Sequence, residues 1–236
     1  MAESGPAQNL IARLDEALSS MTEILNSLLD INQIEAGTVK AARSQFPISI
    51  LFDHILNGCI DHATAKGIEL HVFHTSDWTD SDPRLLEQMI RNLVTNSIKY
   101  TVTGKVLLGC LRRGSMLEIA VLDTGIGIPE QELAAIFEEY HQIDNPARDR
   151  TLGLGLGLSI VQNLGRLLHH PISVRSVFGK GSIFTIQVPR LDAQEIGPVL
   201  PVPLPVTRAA PGGPSAILLV EDEPAMRGSR DAVIVR

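Results

Sequence analysis

The chain is poor in cysteine, has no long apolar run and carries fewer positive than negative charges, and each shortage removes a class of answers. Its 236 residues hold two cysteines, Cys59 and Cys110, far apart and with no metal-type spacing near either. That argues against a disulfide framework and a thiolate metal site, and the pair reads as free, buried thiols of a reducing compartment. No apolar stretch approaches the roughly 18 residues a transmembrane helix needs, and the N-terminus MAESGPAQNL lacks the apolar centre of a signal peptide. A cytoplasmic location is therefore expected. Twenty Lys and Arg against 27 Asp and Glu give a net charge of −7, which disfavours a general nucleic-acid surface. No long internal repeat is found. What remains is a composition 44% hydrophobic and 20% charged, that of a globular protein with a proper core.

The N-terminal segment NLIARLDEALSSMTEILNSLLDINQIEAG is the most regular helical signal. Leu14, Leu18, Met21, Leu25 and Leu28 follow alternating steps of four and three, the a/d spacing of a heptad, and Asn32 continues the register. Ile24 and Ile31 widen the stripe and Gly37 suits a C-terminal stop. One such helix cannot bury its stripe alone, so it is expected to pair, in a hairpin or in a homodimer through residues 10–36. Pro47 is placed to open a second helix carrying Ile48, Leu51, Phe52, Ile55 and Ile60 and ending near Gly67. IELHVF reads as a strand. Asp82 as N-cap with Pro83 at the first helical position predicts a helix to about Tyr100. KVLLGCLRR and SMLEIAVLD flank Gly114 as a hairpin, QELAAIFEEY reads as a short helix, and HQIDNPARDRT as a polar loop. A helix from LSIVQNLGRLLHH and two strands, ISVRSV and SIFTIQVP, follow. From Leu191 the proline-rich EIGPVLPVPLPVTRAAPGGPS reads as an extended linker over 191–215, and AILLVEDEP begins a further strand within 216–236.

Four clusters carry chemistry. Asn92, Asn96 and Lys99 fall at i, i+4 and i+7 on one helix face. Amide oxygens there suit Mg²⁺ that draws its negative charge from substrate phosphates, although solvent-facing polar residues would show the same spacing. LDTGIGIP ends a strand in Asp123, followed by Gly125 and Gly127. The carboxylate can accept from an exocyclic amine while the glycines let backbone approach a flat base; a capped turn is the plainer alternative. Phe137 and Tyr140 in IFEEYHQ are spaced for packing along a short helix. Finally, LGLGLGLSIV has the spacing G-x-G-x-G after a polar loop, which fails the dinucleotide fingerprint and leaves a flexible loop feeding a helix N-terminus, where phosphate is favoured.

The order NLVTNSIKYT, DTGIGIP, IFEEYHQ, GLGLGLSIV and GKGSIFTIQVP resembles the N, G1, F and G2 boxes and closing hairpin of the histidine-kinase catalytic domain, a Bergerat-fold ATPase related to gyrase and MutL. The resemblance spans Phe46 to Arg190 and implies an ATP-binding domain over 46–190. The implied fold is an α/β (α+β) two-layer sandwich, a mixed sheet with helices on one face, preceded by one long coiled-coil-like helix. By the same resemblance Asn96 is the Mg²⁺ ligand with Asn92 beside it, Lys99 lies near the phosphates and Tyr100 packs on adenine. Asp123 is the partner of the adenine amine, with Gly125 and Gly127 beneath the base. Gly153, Gly155, Leu156 and Gly157 form the loop that leads from lid to helix, and Arg148 and Arg150 in the lid reach the γ-phosphate.

LLDINQIEAG resembles the end of the second helix of a dimerisation domain, placed at 7–37, and AILLVEDEP the entry to a receiver domain, with Glu221 and Asp222 as its acidic pair. The implied parent is a hybrid sensor histidine kinase, seen here without its first dimerisation helix and with only the start of its receiver. His54, His62, His71, His74, His141, His169 and His170 all lie within or after the catalytic region, none in the His-Glu-x-Arg-Thr-Pro context of a phosphoacceptor. The expected function is thus transfer of the ATP γ-phosphoryl, with Mg²⁺, to a histidine in trans, serving a downstream response regulator. An ATP-binding interaction module is the alternative. An ATP hydrolase fits less well, because such enzymes place a glutamate where this chain has Asn92.

Overall fold

The structure, a computed structural model, describes residues 36–143 and 155–191 together with Met21, Thr22, Leu25, Leu29, Asn32 and Gln33. Two prolines punctuate it. Pro47 ends strand β1 (Ser44–Pro47) in extended conformation and immediately precedes helix α1 (Ile48–Ala65). Pro83 opens helix α2 (Pro83–Tyr100) directly behind Asp82, whose carboxylate accepts from the backbone N–H groups of Arg84 and Leu85, both at 3.0 Å. A missing donor costs nothing at a helix start, and the carboxylate satisfies two of the donors left over. The other oxygen of Asp82 accepts from Ala42 N at 2.7 Å, so the chain entering the domain is tied to the α2 cap.

The strands are β2 (Ile68–Val72), β3 (Trp78–Ser81), β4 (Gly104–Arg113), β5 (Met116–Asp123), β6 (Ile172–Val177) and β7 (Gly181–Leu191). With β1 they make a seven-stranded mixed sheet in the order β1-β3-β7-β5-β4-β2, β6 pairing with the first half of β7. Only β2 and β4 run parallel; β5 lies antiparallel between β4 and β7 along its whole length. Alternation decides what faces the helices. In β5 the buried residues are Leu117, Ile119, Val121 and then Asp123, so the period of two that builds the core delivers a carboxylate to its edge. Leu86, Met89, Ile90, Leu93 and Val94 of α2 join the same core, with Phe52 and Ile55 of α1 and Ile160, Val161 and Leu164 of helix α3 (Gly157–Leu168).

Most of the expected elements are present, with four differences. QELAAIFEEY is not one helix: it forms two single 3₁₀ turns, Glu130–Glu132 and Ala135–Phe137. Pro129 starts the first and no side chain caps either, so neither turn is extended into the four-residue ladder of an α-helix. Phe137 packs against the core, but Tyr140 stands exposed with a positive φ of 62°, because the chain has left the helical path before reaching it. Strands β1 and β3 were not anticipated. In α1, Cys59 takes the buried position expected of Ile60, which faces outward. Of the residues expected to form a long N-terminal helix, the six described positions before residue 36 are helical, Met21, Leu25 and Leu29 are exposed, and Gly37 has a positive φ of 63°. The other residues of that expected helix, the expected linker after Leu191 and the 216–236 segment with Glu221 and Asp222 lie outside the described residues. No described helix is long and apolar enough to cross a membrane.

Candidate functional site

Three elements converge on one end of α2. The first is α2 itself, whose buried stripe turns Asn92, Asn96 and Lys99 to a half-buried flank beside the core rather than into it. The Asn92 amide donates to Gln88 O at 3.1 Å, one turn back, which leaves its oxygen available. Lys99 holds its ammonium 4.8 Å from the centroid of the Tyr100 ring. Tyr100, the last residue of α2, is partly exposed.

The second element is the start of α3. A β-carbon on Gly157 would lie 3.3 Å from Asn92 Oδ1 and 3.4 Å from Asn96 Nδ2. Both amides therefore lie against the first residue of α3, and a side chain there would push into them. No side chain caps this helix start, so its leading N–H groups are left for another acceptor. Leu156 is buried and anchors the turn, and Gly155 has a φ of 73° with its α-carbon pressed against the chain at Tyr140–Gln142. A β-carbon on Gly155 would come within 2.6 Å of His141 O, so the two ends of the segment between them touch and only glycine fits the crossing. His141 is held in turn by Glu132 at 2.8 Å. Arg148, Arg150 and Gly153 lie outside the described residues.

The third element is the end of β5. Asp123 is buried, and its Oδ1 accepts from Gly125 N at 2.9 Å and Ser182 N at 3.3 Å, while Oδ2 accepts from Ser97 Oγ at 3.3 Å. Burial pushes the carboxyl above the usual carboxylate range, and these three donors pull the other way. One lone pair on Oδ2 stays open to a further donor. Gly125 packs so closely that a β-carbon would meet Tyr100 O at 2.6 Å. Gly127 takes a φ of 67° with its α-carbon against Val177 O, fixing the loop to the β6–β7 hairpin. Ile126 N donates to Tyr100 O at 3.2 Å, which ties the same loop to the end of α2.

The structure thus brings together Asn92, Asn96, Lys99, Tyr100, Asp123, Gly125, Gly127, Gly155, Leu156 and Gly157. Sequence reasoning missed Ser97 and Ser182. Ser97 carried a signal, a polar residue on the stripe of Leu93, Val94 and Ile98; Ser182 serves through its backbone N–H and carried none. As for a metal, no group of three His, Cys, Asp or Glu side chains suited to a cation occurs among the described residues. The oxygens at the α2–α3 junction are neutral amides, a donor set too weak for a caged ion and suited to Mg²⁺ that arrives with phosphates.

Comparison with known proteins decides the family. Residues 81–192 match the model of the histidine kinase-, DNA gyrase B- and HSP90-like ATPases. The chain carries a domain of this ATPase family. Among curated proteins, the circadian input-output histidine kinase CikA of Synechococcus elongatus is 34% identical over 220 residues, 91% of this chain and 29% of that protein. The sensor histidine kinase RcsC of Escherichia coli is 32% identical over 188 residues, 78% of this chain and 20% of that protein. The chain therefore spans less than a third of either relative. Among solved structures, full-length ShkA in complex with AMPPNP superposes with a TM-score of 0.68 at 24% identity, covering 82% of this chain and 41% of that one. The histidine kinase AdeS of Acinetobacter baumannii gives 0.63 at 19%, covering 80% of this chain and 87% of that one. These superpositions establish the fold.

Proposed function

We propose that the chain is the catalytic part of a two-component sensor histidine kinase that binds Mg-ATP and transfers its γ-phosphoryl to a histidine imidazole in trans. The observation that carries this reading is the convergence on α2: the amides of Asn92 and Asn96 lie against the uncapped start of α3 at Gly157, and Ser97, beside Asn96, binds the buried Asp123. Adenine lies against the open oxygen of Asp123, with Gly125 and Gly127 beneath it and Tyr100 at its edge. The phosphates are placed toward Gly153, Gly155, Leu156 and Gly157, which the uncapped start of α3 supports, with Lys99 beside them and Arg148 and Arg150 assigned to the γ-phosphate. Asn96 holds Mg²⁺ with Asn92 beside it, and the ion supplies charge neutralisation on the phosphate oxygens. The ShkA structure was obtained with AMPPNP, a non-hydrolysable ATP analogue, which suits the same pocket here.

Phosphoryl transfer asks mainly for positioning and charge stabilisation, and a neutral imidazole is already a nucleophile. In this reading the protein needs no strong base. Asn92 stands one turn before Asn96, where a hydrolase would need a group able to take a proton from water, and an amide cannot. In this reading the phosphoryl goes to the histidine of a dimerisation domain, with residues 7–37 as part of the docking region and a receiver domain beginning at 216–236 beyond the linker. Calorimetric titration with Mg-ATP tests the pocket. Asn96→Ala is expected to abolish measurable Mg-ATP binding in a protein that keeps its circular dichroism, and retained wild-type affinity would overturn the assignment.

A further inference from the structure

The last four carbonyls of any α-helix lack partners within it. In α2 all four are accounted for. Ser97 O accepts from Thr101 N at 3.1 Å and Tyr100 O from Ile126 N at 3.2 Å. The two between them share one donor: the Lys66 ammonium donates to Ile98 O at 2.8 Å and also to Lys99 O. Lys66 is the C-cap residue of α1, where that helix ends and Gly67, with a φ of 73°, turns the chain into β2. A cation from one helix thus sits on the negative end of the dipole of another, the place where positive charge is most favourable.

Its position bears on Lys99. Partial burial and the Lys99 charge both hold the Lys66 ammonium below the ordinary lysine value, so the two like charges feel each other. Lys66 is held by two carbonyls of the last turn of α2, and the Lys99 ammonium stands over the Tyr100 ring in that same turn. We propose that Lys66 is a positioning residue for the nucleotide site, one that closes the end of α2 and thereby fixes where Lys99 and Tyr100 stand. The inference rests on the reading that Lys99 and Tyr100 face Mg-ATP. Lys66 touches neither base nor phosphate; it acts through the last turn of α2.

The test is a set of full-length variants, Lys66→Met, Lys66→Gln, Lys66→Arg, Lys99→Ala and the Lys66→Met/Lys99→Ala double variant, titrated calorimetrically with Mg-ATP. Losing a charge-assisted cap should raise the Kd of Lys66→Met by about three- to tenfold at unchanged stoichiometry. Lys66→Arg, whose fork spans two carbonyls, should return it to within about twofold. The double variant should lose clearly less than the two single losses added together, since part of the effect passes through Lys99. Wild-type affinity in Lys66→Met, or effects that add in full in the double variant, would overturn the inference. Should Lys66→Met fail to fold, Lys66→Gln replaces it in the single and double variants with the same expectations. Unchanged affinity in Lys99→Ala would instead overturn the reading beneath it, whereas a weakened Lys99→Ala beside an unaffected Lys66→Met would overturn only the role of Lys66.

Discussion

Replacing Asp123 by asparagine separates what this carboxylate does for the fold from what it does for a ligand. The amide has the same shape. Its oxygen can keep the two backbone donors, Gly125 N at 2.9 Å and Ser182 N at 3.3 Å, and its NH₂ can donate to Ser97 Oγ, which then accepts. Burial raises the native carboxyl above its unfolded value of 3.8, so between those two values the native state holds more proton than the unfolded chain. Stability therefore falls as pH rises through that window, and the penalty persists at neutral pH. Asparagine carries no such penalty. Ligand-free Asp123→Asn should unfold at an equal or higher temperature than wild type at pH 7, with the difference vanishing below about pH 4.

Binding should move in the opposite direction. A carboxylate accepting from an amine contributes about 1.5–3 kcal/mol, and the amide puts a donor where an acceptor is needed. The Kd for Mg-ATP is then expected to rise about 10- to 150-fold. At a nucleotide concentration of about 100 times the wild-type Kd, ligand stabilisation of about 2.7 kcal/mol should drop to about 0.9 kcal/mol for a 30-fold loss. Thermal unfolding with and without Mg-ATP at pH 7 measures both. A ligand-free variant more than about 1 kcal/mol less stable than wild type, or an undiminished ligand shift, would refute the reasoning.

Two further outcomes follow from the fold. His170 is buried with its Nε2 2.7 Å from Ser81 Oγ, and burial holds its pKa down to about 4 from 6.5. The unfolded chain takes up the proton first, so stability falls as pH drops through that interval, by on the order of 3 kcal/mol at pH 4. His170→Asn should flatten this acid limb in urea titrations, and an unchanged slope would refute the assignment. Asp82→Ala removes the α2 cap and the acceptor of Ala42 N, and should cost about 1–2 kcal/mol in the same titrations; Asp82→Asn should keep most of the cap, and equal losses in both would show that capping is not the cause.

Much of this architecture was readable in the residues because it is local. Asp82-Pro83 fixed a helix start, the alternation of MLEIAVLD fixed both a strand and the inward aim of Asp123, and Gly37, Gly114 and Gly127 fall where positive φ is needed. What was not readable is set by pairing at a distance. Ser44–Pro47 and Trp78–Ser81 are short and weakly patterned, and they are strands because each lies against the other and β3 reaches the end of β7. IFEEYHQ shows helical spacing, yet it gives only 3₁₀ turns, since its residues serve the close crossing at His141 and Gly155. In the site, side chains with distinctive chemistry announced themselves; Lys66 did not, because its partners are carbonyls 32 and 33 residues away.

The proposed activity is phosphoryl transfer to a histidine on another chain. The direct measurement is incubation of the purified protein with γ-labelled ATP and Mg²⁺ in the presence of a purified dimerisation domain bearing the acceptor histidine. Label is expected on that domain, acid-labile and base-stable, absent with Asn96→Ala and absent when the acceptor histidine is replaced. Demonstrated Mg-ATP binding with no label on the acceptor would contradict it and leave a nucleotide-binding interaction module.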